Sequence, residues 1–291
     1  MTTVSSKRHL KARSGMRRQI TPGTVTLEAI TFLLAFIVFV PILWSFVVSL
    51  KTDEASLPSA FHYFLPPFTI ANYIEVLSGG TKVVLWLFNS VFVAVVVTIG
   101  MTLLCSMASY AIAKLQFRYR KGIYMYFLAG LMVPGEATIV ALFVLANELK
   151  LIDTYLGLIL PALAGSMNII IMTSFLTGIP NDLIEAARID GAGEFRTYKD
   201  VILPLSRTVI VTVSIFTFIG NWNSYLWPYL CAMSEDLFTL PIGIPTFVSQ
   251  FSVDKTIPMT VNMIASLPIL LFFIIFEKQI VKGISLSGIK G

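Results

Sequence analysis

The hydrophobic residues of this chain are gathered into six long stretches that are separated by polar segments. The stretches cover about residues 27–50, 83–113, 123–146, 155–176, 208–230 and 259–276. A helix needs about 20 mostly apolar residues to cross a hydrocarbon core of roughly 30 Å, and each stretch is of that order. The pattern therefore predicts an all-α membrane protein with six transmembrane helices.

Composition excludes several other classes of protein. The 291 residues are 56% hydrophobic and only 13% charged, whereas an average soluble domain carries about 25% charged residues. This balance excludes a disordered chain and an ordinary soluble enzyme. The two cysteines, Cys105 and Cys231, are too few for a disulfide framework, and two histidines leave little for a His-based metal site.

Basic residues are divided unequally between the two sides of the predicted bundle. Four of the 21 Lys and Arg residues, Lys51, Lys82, Lys150 and Lys255, fall on one side. The other 17 lie in the N-terminal tail, in the loops after the second and fourth spans, and in the C-terminal tail. Because Lys and Arg accumulate in cytoplasmic segments, both termini are expected to be cytoplasmic.

The predicted organisation is a tail, a six-span domain and a second tail. A basic cytoplasmic tail covers residues 1–26, the transmembrane domain covers 27–281, and a cytoplasmic tail covers 282–291. The first tail also fits a nucleic-acid arm or a signal peptide, but a long apolar span follows it directly, which favours contact with anionic headgroups. The outer loops 51–82 and 231–258 are long enough either to receive a partner or to form a lid.

The inner loop 179–204 has the pattern of two short helices. Asn181 or Asp182 is suited to cap the first helix, and Leu183, Ile184 and Ala187 give it an apolar face. Gly191 and Gly193 allow that helix to end and the chain to turn. A pair of short amphipathic helices is typical of a segment that inserts into the groove of a partner.

The residues of this loop resemble a known family. Glu185-Ala186-Ala187, followed by Gly191, Val201 and Leu203-Pro204 at fixed intervals, is similar to the EAA signature of ABC importer permeases, with Val201 in place of the usual Ile. The strings 185–193 (EAARIDGAG) and 222–228 (WNSYLWP), Asn89-Ser90, 154–157 (TYLG) and the terminal 288–291 resemble the maltose-type, carbohydrate-uptake branch. The resemblance extends from about Phe68 to the last residue.

The resemblance implies a function and a set of partners. The chain would be a permease in a bacterial plasma membrane that forms half of a translocation pore with a second homologous permease. A solute-binding protein would deliver a sugar, an oligosaccharide or a polyol, and an ATPase dimer would bind ATP and Mg on the cytoplasmic side. The chain itself has no G-x-x-x-x-G-K-[ST] phosphate loop, so it is not expected to bind a nucleoside triphosphate in that way. The resemblance implies a transport subunit that is not an enzyme and carries no cofactor of its own, and no nucleic acid is expected as a partner.

The same resemblance assigns residues to contacts with the ATPase. The coupling residues would be Glu185, Ala186, Ala187, Asp190, Gly191, Leu203 and Pro204. In the C-terminal tail, Gly288, Lys290 and Gly291 would reach into the ATPase dimer, although a frayed end is the alternative interpretation.

Polar residues inside the spans are candidates for the translocation path. The set comprises Asn89, Ser90, Glu136, Trp222, Asn223 and Tyr225. An ionisable group such as Glu136 is costly in a bilayer and therefore a candidate site, while aromatic and amide groups together suit a sugar. Each also has a structural alternative, namely a packed polar network, hydrogen bonds between helices or an aromatic belt at the interface.

Two other functions compete with ATP-driven import. An ion-coupled secondary transporter of a polar solute would need more buried carboxylates and an inverted repeat, which the sequence lacks. An intramembrane hydrolase or metal enzyme would need a nucleophile and a base within reach, and both histidines, His9 and His62, lie outside the spans.

Overall fold

The computed structural model describes residues 22–52, 60–79, 81–250 and 255–288. Their regular secondary structure is entirely helical. The α-helices are α1 Pro22–Ser49, α2 Ala71–Leu77, α3 Val83–Lys114, α4 Arg120–Gly130, α5 Gly135–Glu148, α6 Tyr155–Ile159, α7 Ser166–Thr177, α8 Asp182–Ile189, α9 Glu194–Thr197, α10 Leu203–Leu205, α11 Arg207–Trp222, α12 Leu226–Cys231, α13 Leu240–Gln250 and α14 Thr256–Gly288. Short 3-10 turns lie at Ala60–Phe64, Pro161–Leu163 and Glu235–Leu237, and a π-helical turn at Tyr198–Ile202 joins α9 to α10.

Within the described residues, three helices are long and apolar enough to cross a membrane by themselves. They are Gly23–Ser49, Val83–Lys114 and Thr256–Ile280. Three further spans are possible if each of three bent helix pairs crosses as a unit, which gives up to six. The prediction of an all-helical membrane protein is confirmed, and six is the largest number of spans that these helices allow.

The third, fourth and fifth predicted spans are not continuous helices. The axis bends by 102° between α4 and α5 and by 41° between the Tyr155–Leu163 helix and α7. At the first bend, Pro134 adopts an extended conformation (ψ 135°), and its ring nitrogen has no N–H to continue the helical pattern.

The fifth helix also ends earlier than predicted. α11 stops at Trp222, and α12 begins only at Leu226, so the predicted helix from 208 to 230 is broken. Pro228 lacks the N–H that would bond to the Ser224 carbonyl in a continuous helix. At the break itself, the Ser224 N–H bonds to the Asn221 carbonyl at 3.1 Å, three residues earlier, and the chain turns.

The chain divides into two units, Met1–Ser45 and Phe46–Gly291. In the first unit the described residues form most of α1, whose Thr31 hydroxyl donates to the Leu27 carbonyl at 2.8 Å. Many large apolar side chains of α1 are more than half exposed, among them Phe32 and Val38. Such an apolar helix surface is suited to lipid.

In the second unit, α3 is the central element and packs against α7 and α11. Val97 and Cys105 of α3, Met172 of α7 and Val213 of α11 are almost completely buried in this contact. Polar side chains add hydrogen bonds between the same helices, for example Thr102 with Ser214 at 3.0 Å. Asn168 Nδ2 donates to Thr217 Oγ1 at 3.1 Å, so it holds α7 to α11 as a helix–helix bond of the kind worth about 0.6–2 kcal/mol.

Candidate functional site

Two clusters of the residues predicted from sequence lie at opposite ends of α3. This helix has 32 residues, and at 1.5 Å per residue it is about 48 Å long. The segment 181–205 lies near its C-terminal end, and the segment 231–239 lies near its N-terminal end. We name the first cluster the 181–205 segment. The second, which consists of residues 231–239 and the side chains bound to them, is named the outer clasp.

The first helix of the 181–205 segment is held by one buried anchor. Ile184 is 3% exposed and packs in a cluster with Tyr110 and Ala113 of α3 and with Tyr198 and Ile202 of the π-helical turn. Leu183 is exposed and Ala187 is half-buried. The predicted apolar face of this helix is therefore narrower than expected, because Ile184 alone reaches the core.

The prediction that a side chain caps the start of α8 is wrong. Asn181 occupies the position before α8, but no side chain caps the helix. The Asn181 Oδ1 atom instead accepts a hydrogen bond from Lys114 Nζ at 2.9 Å, and Lys114 also donates to the Ile179 carbonyl at 2.5 Å. The cation at the end of α3 thus competes with the cap and ties the start of the segment to α3.

The turn after α8 follows the prediction from its glycines. The Gly191 N–H bonds to the Arg188 carbonyl at 3.0 Å, and Gly191 has a φ of +79°. This left-handed conformation is accessible to glycine at little cost. Gly193, by contrast, has an ordinary φ of −70° and precedes α9.

Glu194 connects three parts of the site. Its carboxylate accepts a hydrogen bond from Tyr110 Oη at 2.8 Å and forms an ion pair with Arg188 at 2.7 Å. These two bonds lower the pKa of the Glu194 carboxyl below its ordinary value. Because Tyr110 lies on α3 and Arg188 on α8, the ionised carboxylate joins the segment to the central helix.

The coupling residues predicted from sequence are mostly on the surface. Glu185, Ala186, Asp190, Gly191 and Pro204 are exposed. Leu203 is half-buried beside the Ile184 cluster. Sequence reasoning did not single out Ile189 and Phe195, which are 86% and 69% exposed. Each is a large apolar residue in a short, mainly polar helix, and this pattern could have indicated them from the sequence.

At the opposite end of α3, the outer clasp joins the segment 231–239 to Lys82 and to Trp86 of α3. Lys82 Nζ lies 3.2 Å from Glu235 and 3.0 Å from Asp236, and the hydrogen bonds to these carboxylates raise the pKa of Lys82. Trp86 Nε1 donates to the Glu235 carbonyl at 2.8 Å. The clasp therefore contains both ion pairs and an uncharged hydrogen bond.

Asn89 and Ser90 belong to this clasp. Asn89 is completely buried, and its Nδ2 donates to the Asp236 and Phe238 carbonyls, both at 2.9 Å. The Asn89 Oδ1 accepts from Tyr155 Oη at 2.6 Å, and Ser90 Oγ accepts from the Leu240 N–H at 2.7 Å. The Asn89 amide is thus fully used in holding the fold.

The string 154–157 has a matching structural explanation. Thr154 Oγ1 caps α6 by accepting from the Gly157 N–H at 3.0 Å. Gly157 approaches other chain segments closely, since an added Cβ atom would lie 2.0 Å from the Leu151 carbonyl oxygen. Asp153, which directly precedes Thr154, accepts hydrogen bonds from the Met233 and Ser234 N–H groups, both at 2.9 Å. These bonds lower the pKa of the Asp153 carboxyl.

Beside the clasp lies a cavity of about 230 Å³. Its polar wall is formed by Ser90, Asn221, Ser224 and Thr239, with Trp227 beside them. The Thr239 hydroxyl is buried and bonds to none of the described residues. The arrangement offers hydroxyl and amide groups next to an aromatic ring, which suits a hydroxylated ligand.

Three residues of this stretch, Trp222, Asn223 and Tyr225, do not line this cavity. Trp222 is 5% exposed and stacks on Phe218 at 6.0 Å between ring centroids. Asn223 is exposed and bonds back to the Ile219 carbonyl at 2.9 Å. Tyr225 is 44% exposed and stacks on Tyr229. Because the helix breaks at Asn223, the cavity receives Asn221, Ser224 and Trp227 instead.

The remaining predicted residues are Glu136 and those of the C-terminal tail. Glu136 is exposed in the first turn of α5, just after the 102° bend, where a carboxylate is favourable for the helix dipole. Gly288 is the last residue of α14, while Lys290 and Gly291, like tail residues 1–21, lie outside the described residues. Among the described residues no group of three or more His, Cys, Asp or Glu side chains could hold a metal ion.

Comparison with known proteins assigns the family. The sequence profile of the binding-protein-dependent transport system inner membrane component family matches residues 102–286. The chain belongs to this family, and so to the permease subunits of ABC transporters, which confirms the resemblance of the 185–204 pattern. The match includes the whole 181–205 segment and the segment 231–239.

Individual relatives match almost the whole chain. The arabinooligosaccharides transport system permease protein AraQ of Halalkalibacterium halodurans is 30% identical over 279 residues, which are 95% of this chain and 100% of that protein. The sn-glycerol-3-phosphate transport system permease protein UgpE of Agrobacterium fabrum is 33% identical over 256 residues, 85% of this chain and 91% of that protein.

The fold is also found in a solved structure. A bacterial ABC transporter involved in the import of the acidic polysaccharide alginate contains a chain that superposes with a TM-score of 0.78 at 19% identity. The superposition covers 88% of this chain and 95% of the other. At this identity the likeness concerns the fold.

Proposed function

We propose that this chain is one of two permeases in an ATP-driven importer of a carbohydrate or a related polyol. The chain forms half of the translocation pore, a second homologous permease forms the other half, and ATP hydrolysis takes place on a separate ATPase dimer. The observation that carries the proposal is the 181–205 segment, which exposes apolar side chains while one buried anchor and one carboxylate bind it to the central helix.

The exposed side of the 181–205 segment is the surface proposed for the ATPase. Ile189 and Phe195 are largely exposed and Leu183 is 42% exposed, and apolar surface of this kind is typical of a protein contact. Glu185 of α8 and Asp190, which directly follows this helix, are exposed and are available to basic groups of the partner. Ala186 and Ala187 are small enough to allow close approach.

Movement of this segment is transmitted to the spans through α3 and the π-helical turn. Glu194 bonds to Tyr110, and Tyr198 Oη is hydrogen-bonded to Ser106 Oγ at 2.6 Å inside the bundle. Both bonds end on α3, which packs against α7 and α11. Displacement of the segment by the ATPase therefore acts on the centre of the pore-forming domain.

The proposed orientation places the 181–205 segment and both termini in the cytoplasm of a bacterial plasma membrane. The unequal distribution of Lys and Arg supports it. The outer clasp then faces the extracytoplasmic side, where a solute-binding protein docks. The proposal also assigns Gly288, Lys290 and Gly291 of the C-terminal tail to contact with the ATPase.

The cavity beside the outer clasp is the proposed solute contact of this chain. Relatives carry names that refer to arabinooligosaccharides and to sn-glycerol-3-phosphate, and both solutes present hydroxyl groups. Ser224, Asn221 and Thr239 supply complementary hydrogen-bonding groups, and Trp227 supplies a ring face. Asn89 remains a positioning residue of the clasp.

Co-purification from native membranes tests this function. The tagged chain is extracted in a mild detergent, and the attached proteins are identified by mass spectrometry. We expect an ATPase with a phosphate loop and a second permease. The I189D and F195D variants should lose the ATPase but keep the second permease, while the matched M233D variant at the opposite end of α3 should keep both.

Two results would contradict the proposal. One is a chain that purifies alone and still transports in vesicles without ATP, which would indicate an ion-coupled transporter. The other is an ATPase that remains bound when both Ile189 and Phe195 are replaced by Asp.

A further inference from the structure

A second cavity, of about 470 Å³, lies where three helices begin or end. α3 ends at Lys114, α4 begins at Arg120 and α7 ends at Thr177. The walls include Arg120, Lys121 and Tyr124 from α4, and Thr173 and Ser174 from α7. Because the helices of three adjacent spans all end here, the cavity lies at the level of the membrane surface.

The start of α4 has an excess of positive charge. Its first turn contains no acidic residue, and no side chain caps it. Arg120 and Lys121 stand in this turn, although cations are unfavourable at the N-terminal end of a helix dipole. Neither forms an ion pair with any described residue, and no carboxylate lines the cavity.

Thr173 gives an independent indication of a ligand. It is 5% exposed, it lines the cavity, and its buried hydroxyl bonds to no described residue. A helical threonine commonly donates to the carbonyl four residues earlier, which here is that of Ile169. Ser109 Oγ of α3 already donates to that carbonyl at 3.0 Å, so the Thr173 hydroxyl remains available to a group inside the cavity.

The other walls favour a lipid over a free anion. Ile112 and Met125 give the cavity an apolar side, and Met125 is 62% exposed. Tyr124, Ser174 and Thr177 add hydroxyl groups near the two cations. Cations and hydroxyl groups at the membrane surface, with apolar side chains beside them, match a phosphate headgroup and the start of its acyl chain.

We propose that this cavity binds the headgroup of an anionic phospholipid, with Arg120, Lys121 and Thr173 holding its phosphate. The lipid neutralises the N-terminal end of α4 and satisfies the buried Thr173 hydroxyl. It also bridges α4 and α7, so it stabilises the arrangement of the third span, which bends by 102° a short distance further along. The site depends on neither the transported solute nor the ATPase contact.

Native mass spectrometry of the full-length chain, with the subunits that co-purify with it, tests the site. Phosphatidylglycerol, phosphatidylcholine and inorganic phosphate are added separately to delipidated protein. We expect one phosphatidylglycerol to remain bound per chain in preference to phosphatidylcholine. The R120A/K121A variant should bind it about 30-fold more weakly, and T173V about tenfold more weakly.

The control removes the same number of charges elsewhere. Arg118 and Lys278 are exposed and do not line the cavity, so R118A/K278A should retain the lipid. T173V should unfold at the wild-type temperature in phosphatidylcholine micelles, since the lost hydroxyl bonds to none of the described residues. Phosphatidylglycerol should stabilise it less than it stabilises the wild type.

Three results would overturn the assignment. Equal retention of phosphatidylcholine and phosphatidylglycerol would exclude an anionic headgroup site. Displacement of the lipid by an equal concentration of inorganic phosphate would indicate a site for a free anion. Unchanged lipid binding by both R120A/K121A and T173V would place any bound lipid elsewhere.

Discussion

Tyr110 donates a hydrogen bond to Glu194 at 2.8 Å, although the two residues are 84 positions apart in the chain. Tyr110 lies near the C-terminal end of the central helix α3, and Glu194 opens α9 in the 181–205 segment. Arg188 of α8 binds the other carboxylate oxygen. A single side chain thus links the proposed ATPase surface to the core of the membrane domain.

Removal of the Tyr110 hydroxyl should weaken this link. Y110F leaves the half-exposed Glu194 carboxylate with Arg188 alone, and the loss in unfolding free energy should be about 1 kcal/mol or less. We expect a severalfold decrease in solute-stimulated ATP hydrolysis by the assembled importer, with assembly unchanged. Y126F is the matched control, because Tyr126 is 76% exposed; equal ATP hydrolysis in Y110F and Y126F would contradict the proposed transmission.

Gly191 and Gly193 form a matched pair for testing the turn after α8. Neither position has an atom within 4 Å of an added Cβ, so the two differ in backbone conformation and not in space. At the φ of +79° of Gly191, an alanine costs about 1–2 kcal/mol. G191A should lower solute uptake per ATP hydrolysed and leave membrane insertion intact, whereas G193A should behave as wild type. Normal coupling in G191A would mean that the shape of this turn is not needed.

The outer clasp should respond to acid through Asp153. Hydrogen bonds from Ser234 and Met233 lower the pKa of its carboxyl. The stabilisation is therefore complete above the unfolded-state pKa of about 3.9 and is lost as the pH falls through the lower folded-state value. D153N keeps a residue type that tolerates the left-handed backbone of this position and removes the charge.

Thermal unfolding measured between pH 7 and pH 3 tests the clasp. At pH 7 the D153N variant should melt a few degrees below wild type, and the difference should become smaller as the pH falls from about 4 toward 3. A difference that stays constant over this range would show that the charge of Asp153 is not what holds residues 233 and 234.

Substitutions in the wall of the cavity beside the clasp should affect solute uptake more than they affect the stability of the fold. T239V removes a hydroxyl that has no partner among the described residues, and S224A removes a second wall hydroxyl. Each should raise the solute concentration for half-maximal uptake by about fivefold, which corresponds to one hydrogen bond, without lowering the unfolding temperature. The control T212V removes an exposed threonine hydroxyl on α11; if all three variants transport alike, the cavity is not on the solute path.

Hydropathy was sufficient to predict the helical membrane fold, but tertiary contacts decided how the spans are built. Pro134 gave a signal for the first bend. The break after Trp222 places Asn221, Ser224 and Trp227 at the cavity, whereas Trp222, Asn223 and Tyr225 do not line it. Hydrophobic content alone does not reveal such a change of face, because both sides of the break are apolar.

The roles of single polar residues depended on partners far away in the sequence. Asn89 was a candidate for the path because it is polar and lies in a span, yet its amide binds carbonyls 147 and 149 residues later. Asn181 was expected to cap α8 and binds Lys114 instead. By contrast, the turn at Gly191 was predicted correctly, because its cause is local backbone geometry.

Site-specific photo-crosslinking at Ile189 tests the central proposal most directly. A benzophenone amino acid is introduced at Ile189, which is 86% exposed, and separately at Met233, which is 61% exposed at the opposite end of α3. In a transport-competent strain, the probe at position 189 should capture the ATPase subunit and the probe at 233 should not. Capture of the ATPase from position 233, or its absence at 189 in cells that still import the solute, would contradict the assignment of this segment as the coupling surface.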